Sequence, residues 1–337
     1  MAILMTTLKV VGASILALAG SGMTYEYVAE RMDERNFSPI GKMVDIGGYK
    51  LHMIDAGIAV EGQPTVVIDA GAGCNSLDWS LVQPEIAKFA RVITYDRAGY
   101  AWSDASPLPR TSKNAMDELH TMLHNAGVQG PYILVGHSLG GINVRLFASK
   151  YPDEVAGVVL VDSSHEDQLD RLSIPDRSLM YKVLLGATYL GIPRLSYYIP
   201  SVKESTDRAI AIFPLEIQNV YCSQKSTIKY LNALISEMFL FKQSFDQLKE
   251  DGGLLGDKPL TVISQGKQLT LEQVKGWITP EQLETQNRVW PELQADLATK
   301  SSRGKLIVAE NSSHMINYDR PDVIIEAVRE MVEELRK

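Results

Sequence analysis

The chain has 337 residues, of which 45% are hydrophobic and 22% are charged, a composition typical of a folded globular protein with one large domain or two smaller ones. Its formal net charge is −8 and its lysines and arginines are dispersed, which argues against a nucleic-acid partner because no basic patch would neutralise the phosphates. The two cysteines, Cys74 and Cys222, lie too far apart for a zinc-binding motif, and we expect neither a metal site nor a disulfide framework.

The N-terminal segment is apolar. Residues 10–23, which follow Lys9, are apolar or small, and together with residues 3–8 they form a stretch long enough to cross a bilayer. The tripeptide Ala17-Leu18-Ala19, with a small residue on each side of Leu18, would also satisfy the cleavage rule of a secretory signal peptide. A buried amphipathic helix fits less well, because the segment is apolar on all sides.

We favour a retained anchor over a cleaved signal for segment 1–36, because Tyr25 and Tyr27 suit a membrane interface. The positive charge precedes the apolar run and acidic residues follow it, which favours a catalytic domain outside the cytoplasm. Secretion after signal cleavage is the alternative. The segment is thus predicted to contact a membrane.

From residue 43 onward, strand patterns alternate with helical ones. MVDIGGYKLHMIDAG predicts a hairpin around two glycines. Six further short runs are nearly all apolar and end in polar residues or glycine: PTVVIDAGAG, ARVITYDRAGYAWSD, PYILVGHS, VAGVVLVDSSH, KPLTVISQG and GKLIVAENSSH. Such runs are typical of parallel strands buried on both faces, with functional groups at their C-terminal ends. With helical patterns between them, for example at 114–126 and 139–150, they predict an α/β fold: a mostly parallel central sheet flanked by helices.

The strand pattern stops in the middle of the chain. Residues 167–256 carry Leu, Ile, Tyr and Met at helical spacing, and four prolines divide this stretch. We therefore predict an inserted helical lid at 167–256, between two core parts at 37–166 and 257–337.

The sequence GHSLG places Ser138 at the point where a strand becomes a helix. Side chains at Gly136 and Gly140 would collide with the neighbouring strand and helix, so a tight turn that projects the serine hydroxyl requires glycine there. The helix that begins at Leu139 directs its unpaired N–H groups to the same place, where they would stabilise a negative oxygen. The pattern predicts a serine nucleophile.

A serine nucleophile needs a base to accept its proton. His314 follows the last apolar strand, in LIVAENSSHMI, where an enzyme with the chain order serine, acid, histidine has its base. His52 lies too early for this order, and the side chain of His137 would point away from the serine. His120 and His124 have a spacing that suits a metal but lack a third ligand. We therefore predict His314 as the base.

Three segments resemble the α/β-hydrolase superfamily of lipases, esterases and peptidases. DAGAGCNSLDW is similar to its oxyanion loop, YDRAGYAWSD to the turn after one of its strands, and GHSLGG to its nucleophile elbow. The resemblance covers residues 40–337 and implies the α/β-hydrolase fold and acyl transfer without a cofactor. It further implies that the backbone N–H groups of Ala72 and Leu139 form the oxyanion hole.

The chain departs from the family pattern in two places. Ala70 stands where many members have histidine, and Ala101 replaces a glycine. Neither change removes an oxyanion donor, because the donors are backbone amides. In the same turn, we interpret Asp96 and Arg97 as a structural ion pair.

The position of the acid is suggested by the resemblance. Many relatives carry it after the strand that precedes the strand of the histidine, but here Leu269 stands near that place. Other members take it from the end of the strand before, and GVVLVDSSH ends at Asp162. A carboxylate at a buried strand end is costly unless it has a partner, and the Nδ1–H of His314 would be that partner. We predict Asp162 as the acid and keep Glu272 as the alternative.

These residues predict a serine hydrolase that cleaves carboxylic esters through an acyl-enzyme, with a small-molecule ester as substrate. A serine at the elbow argues against the family's epoxide hydrolases and dehalogenases, which need a carboxylate there. An aminopeptidase, a thioesterase or lactonase of the same fold, and a non-catalytic ligand-binding protein are the alternatives. An aminopeptidase would need acidic lid residues to bind a free amine, for which Glu204, Glu216 and Glu237 are candidates.

Overall fold

A central sheet organises the computed structural model, which describes residues 2–173, 175, 177–274, 276 and 278–336. The described strands are β1 Lys42–Asp45, β2 Lys50–Ala56, β3 Thr65–Asp69, β4 Val92–Tyr95, β5 Tyr132–His137, β6 Val155–Val161, β7 Leu260–Gln265 and β8 Gly304–Ala309. They form one eight-stranded sheet in the order β1-β2-β4-β3-β5-β6-β7-β8. Strand β2 pairs antiparallel with both of its neighbours, β1 and β4. Each of the other pairs of neighbouring strands in this order, from β4-β3 to β7-β8, is parallel. The predicted fold class is confirmed.

Helices connect the strands and cover the sheet. The described α-helices are α1 Ala2–Asn36, α2 Gln83–Ile86, α3 Ser112–Asn125, α4 Leu139–Lys150, α5 Gln168–Arg171, α6 Ser178–Tyr189, α7 Ile192–Ser196, α8 Pro200–Ile210, α9 Leu215–Lys225, α10 Ile228–Phe239, α11 Phe241–Asp251, α12 Leu271–Val274, α13 Pro280–Ala298, α14 Ile316–Asp319 and α15 Pro321–Leu335. Short 3₁₀ helices lie at Ser76–Trp79 and Pro152–Glu154.

Two apolar clusters form the core around the sheet. One contains buried side chains of α3 and α4, among them Met116 and Phe147. The other contains buried side chains of α15, among them Ile324 and Val328. Because helices cover the parallel strands, β5 and β6 can be apolar along nearly their whole length, and both are buried.

The chain divides into two compact units. One comprises the N-terminal segment to Ser38 together with Arg177–Asn232, and the other contains the sheet. The predicted lid at 167–256 contains the helices from α5 to α11, and the segment Arg177–Asn232 of the first unit lies inside this range. Ile174 and Asp176 of that range lie outside the described residues, and the lid assignment stays a prediction.

Helix α1 contains the predicted apolar segment. Its part Leu4–Asn36 is long and apolar enough to cross a membrane, with a mean hydropathy of 1.5 over a window of which no part is buried. Its C-terminal half packs within the first unit, where Arg194 forms ion pairs with Glu26 and Asp33 at 2.8 and 2.5 Å. An apolar N-terminal helix of this kind is compatible with a membrane anchor and with a signal sequence.

Candidate active site

Ser138 occupies a strained turn between β5 and α4. Its φ of 54° and ψ of −120° lie in a region that side-chain-bearing residues rarely adopt. Three backbone hydrogen bonds hold the turn: the Ser138 N–H donates to Val161 O at 3.2 Å, and the Ser138 carbonyl accepts from the N–H groups of Gly141 and Ser164, each at 2.9 Å. The side chain of Ser138 is half-buried at the C-terminal edge of the sheet.

Glycine is required at the positions around this turn. A Cβ at Gly136 would lie 2.4 Å from the Gly140 oxygen, and one at Gly140 would lie 2.3 Å from the Asp69 oxygen. A Cβ at Gly71 would lie 3.2 Å from the Cβ of Ser138. The short distances at Gly136 and Gly140 agree with the expectation that side chains there would collide with their neighbours. The distance at Gly71 shows that the loop after β3 lies directly against Ser138.

The structure brings Asp162 and His314 together. Asp162 Oδ2 lies 2.6 Å from His314 Nδ1, and Asp162 is fully buried at the end of β6 with a positive φ of 39°. Its other oxygen, Oδ1, accepts hydrogen bonds from the Gln265 N–H at 2.9 Å and from Trp290 Nε1 at 3.0 Å. A buried carboxylate with hydrogen-bond partners on both oxygens is held in place and can hold the histidine in one orientation.

Known proteins share this arrangement of strands and loops. A sequence model of the α/β hydrolase fold matches residues 64–184. The chain has the α/β-hydrolase fold.

Relatives and solved structures span most of this α/β hydrolase. It is 27% identical over 314 residues, 87% of the chain, to the "Probable transporter efuK" of Hormonema carpetanum, of which the match spans only 42%. It is 26% identical over 263 residues, 77% of the chain, to the "Uncharacterized protein YqjL" of Bacillus subtilis, of which the match spans 80%. The structure of a thermophilic esterase from Thermogutta terrifontis superposes with a TM-score of 0.59 at 19% identity, covering 88% of this chain and 99% of the esterase. The last likeness shows the fold.

His137 holds the loop that carries His314 in this α/β hydrolase. Burial, and next the nearby His314, lower the pKa of His137 to about 4, so its ring is neutral at pH 7. His137 Nε2 lies 3.0 Å from the carbonyl oxygen of His314, and a neutral ring protonated at Nε2 donates this bond. The two rings lie 4.8 Å apart between centroids, which places His314 over the residue that precedes Ser138. The sequence, which shows only a histidine beside a serine, gives no sign of this contact.

The two predicted oxyanion donors belong to segments that adjoin Ser138. Leu139 is the first residue of α4, so its N–H has no acceptor within the helix. Ala72 follows Gly71 in the loop that abuts Ser138. Arg97 fixes this loop: Nη1 donates to the Ala70 oxygen at 2.5 Å and Nη2 to the Gly71 oxygen at 2.8 Å.

All five N–H donors of Arg97 are used in a buried network. Besides the two carbonyls, Nη1 donates to Asp69 Oδ1 at 2.8 Å. Nε and Nη2 donate to the two carboxylate oxygens of Glu237 on α10, at 2.7 and 3.1 Å. Tyr100 also donates to Glu237, and Tyr95 to Asp69. Sequence reasoning missed this network, because Glu237 lies 140 residues from Arg97.

The predicted ion pair between Asp96 and Arg97 was wrong. Asp96 instead accepts from the Ser76 N–H at 2.8 Å and lies 2.7 Å from His52 Nδ1. The two side chains diverge because each has buried partners of its own, and Arg97 is already satisfied by the network around Asp69.

The remaining candidate residues lie apart from the contact between Asp162 and His314. Glu272, the alternative acid, is exposed on α12. His120 contacts Glu154 at 2.9 Å, so it has a structural partner. Across the part of the chain that the structure describes, no group of three or more His, Cys, Asp or Glu side chains could hold a metal ion.

Proposed function

We propose that the protein is a serine hydrolase that cleaves carboxylic esters through an acyl-enzyme, with Ser138 as nucleophile, His314 as base and Asp162 as acid. The observation that carries the proposal is the contact between Asp162 Oδ2 and His314 Nδ1, next to a strained serine turn. With Nδ1 bound to the carboxylate, the other ring nitrogen, Nε2, is left to accept a proton.

In the proposed reaction, His314 Nε2 takes the hydroxyl proton as the Ser138 oxygen attacks the ester carbonyl carbon. The resulting oxyanion accepts hydrogen bonds from the Leu139 and Ala72 amides, each worth roughly 3 kcal/mol of barrier. Collapse breaks the bond to the alcohol oxygen, which receives the proton from His314. Water, deprotonated by His314, then attacks the acyl-enzyme; the bond between the acyl carbon and the Ser138 oxygen breaks, that oxygen takes the proton from His314, and the carboxylic acid is released.

An ester fits this site better than a peptide with a free amine. Of the acidic candidates for binding an amine, Glu237 is buried and bound by Arg97 and Tyr100, so its charge is already neutralised. Glu204 is exposed and faces Arg208 on its own helix. A thioester or lactone would use the same residues as an ester and remains the second candidate substrate class.

We further propose that α1 anchors the protein in a membrane, with the catalytic domain outside the cytoplasm. Its exposed apolar surface over Leu4–Met23 supports an anchor. Protease digestion of intact cells tests the topology: an outward domain is degraded, whereas a cytoplasmic domain is protected. Sequencing the N-terminus of the purified protein tests retention of α1.

The test of the proposed activity compares p-nitrophenyl esters of increasing chain length, a thioester, a lactone and an aminoacyl anilide. We expect turnover of the esters, covalent labelling by a fluorophosphonate, and loss of both in Ser138→Ala. Retention of ester turnover in Ser138→Ala would contradict the proposal. Ligand binding without turnover or labelling in the wild type would favour the non-catalytic alternative.

A further inference from the structure

The first compact unit has an apolar face that is open to solvent. Helix α6 carries a single charged residue, Lys182, and its Leu179 and Val183 are 74% and 64% exposed. On α7, which contacts α6, Ile192 and Leu195 are 49% and 47% exposed, and Tyr198, which follows α7, is 77% exposed. We call the surface formed by Leu179, Val183, Ile192, Leu195 and Tyr198 the cap face. Monomeric soluble proteins rarely expose large apolar patches, so a cluster of exposed apolar side chains on two contacting helices marks a candidate interaction surface.

The turn between α6 and α7 is fixed to α1 where the apolar part of α1 ends. A Cβ at Gly22 would lie 2.6 Å from the Leu190 oxygen, and a Cβ at Gly191 would lie 2.7 Å from the Tyr25 ring. The backbones therefore approach closely enough that side chains at Gly22 and Gly191 would clash. Helices α1 and α6 also contact each other directly.

Ion pairs secure the same junction one turn further along α1. The guanidinium of Arg194 binds Glu26 at 2.8 Å and Asp33 at 2.5 Å, and Glu26 is fully buried. Glu30 accepts a hydrogen bond from the Ile228 N–H at 2.7 Å. Breaking this junction would leave buried charges without partners, which is costly, so the ion pairs favour a fixed junction between α1 and α7.

The place where α1 contacts the turn between α6 and α7 determines how deep the cap face would lie in a bilayer. If residues 4–23 of α1 cross the hydrocarbon, Gly22 and Tyr25 lie at the boundary between lipid and water. Leu190 and Gly191, which touch them, lie at the same level. We propose that the cap face rests in the interface of the lipid bilayer that holds α1.

The chemistry of the cap face fits lipid better than a protein partner. Tyrosines are concentrated around the junction, at Tyr25, Tyr27, Tyr189, Tyr197 and Tyr198, and the amphipathic tyrosine ring is enriched at membrane interfaces. The apolar side chains between them would penetrate the boundary between head groups and acyl chains, as an interfacial helix does. This inference rests on the proposed anchoring by α1 but not on the proposed esterase activity.

The test measures the depth of single labelled residues in the full chain. In a Cys74→Ser, Cys222→Ser background, bimane is attached at Leu16→Cys in the span, Val183→Cys on the cap face, or Arg35→Cys. Arg35 is the matched control, because it lies on α1 about 20 Å beyond Gly22 along the helix axis. Each protein is reconstituted in phosphatidylcholine vesicles with or without a lipid that carries a quenching spin label near its head group. Circular dichroism verifies that each variant is folded.

We expect quenching and a blue-shifted emission at Leu16→Cys and Val183→Cys, with little change at Arg35→Cys. Quenching at Leu16→Cys alone would overturn the cap-face inference and leave the anchor intact. No quenching at any position would overturn both. A blue shift at Val183→Cys that grows with protein concentration and is insensitive to the spin label would mean that a second copy of the chain covers the face, which also overturns the inference.

Discussion

The guanidinium of Arg97 donates to the carbonyl oxygen of Gly71 at 2.8 Å, one peptide before the proposed oxyanion donor Ala72. In a trans peptide the C=O and N–H point in opposite directions, so holding the Gly71 oxygen also sets the direction of the Ala72 N–H. We therefore expect Arg97 to act as a positioning residue, through its hold on this loop.

We expect Arg97→Lys to lower kcat roughly tenfold to a hundredfold with little change in KM, because lysine cannot make the forked contacts that fix the loop. Steady-state kinetics on p-nitrophenyl butyrate measures the effect. Arg110→Lys is the matched control, since Arg110 is also buried and binds Glu118 through two bonds of 2.8 Å. Equal losses of kcat in both variants would show that the effect is one of general stability.

Replacing Asp162 and Glu272 in turn tests which of them is the acid that orients His314. Asp162→Asn would place an amide against His314 Nδ1 and favour the wrong tautomer, and we expect a loss of kcat of about four orders of magnitude. Glu272→Gln alters an exposed residue and should leave kcat unchanged. The reverse ranking of the two variants would assign the acid to Glu272.

His137 makes stability depend on pH. Its pKa is lowered to about 4 in the folded protein by burial, against about 6.5 when unfolded, so between these values the unfolded state binds more protons. Stability therefore falls as the pH drops through this window, by about 2 kcal/mol between pH 7 and pH 5 from this residue alone. Denaturant unfolding of wild type and His137→Gln, which keeps a side-chain donor but does not titrate, measures the difference. Equal pH dependence in both proteins would contradict this prediction.

The glycine-framed turn should tolerate no side chain. Gly140→Ala brings a Cβ within 2.3 Å of a backbone oxygen, and we expect about 1 to 3 kcal/mol of destabilisation together with lost activity. Gly186→Ala is the control, because nothing lies within 4 Å of the added Cβ in α6. A Gly140→Ala protein with wild-type unfolding and turnover would show that the turn can relax.

Local sequence patterns were sufficient to predict the central sheet and the turn that carries Ser138. Helix α4 has the predicted bounds 139–150, because the glycine turn marks its start and Pro152 lies just beyond its end. Helix α3 begins at Ser112, two residues before its predicted start, because Thr111 caps it by accepting from the Asn114 N–H at 3.4 Å. Propensity alone does not fix such a terminus.

The contacts that hold the candidate site residues in place could not be predicted from the sequence. Trp290 reaches Asp162 across 128 residues, and this contact depends on how α13 packs. The position of Asp162 at a strand end was visible in the sequence, but its Trp290 and Gln265 donors were not. Likewise, the grouping of α1 with Arg177–Asn232 depends on the close approach of Gly22 and Leu190, which leaves no local pattern.

Trapping of the acyl-enzyme tests the central claim most directly. The wild-type protein is mixed with p-nitrophenyl butyrate, quenched in acid within the first turnover, digested, and analysed by mass spectrometry. We predict a butyryl group on the Ser138 side chain, and its absence in His314→Gln. Sustained ester hydrolysis with no acyl group on Ser138, or with the acyl group on another residue, would contradict the assignment of Ser138 as nucleophile.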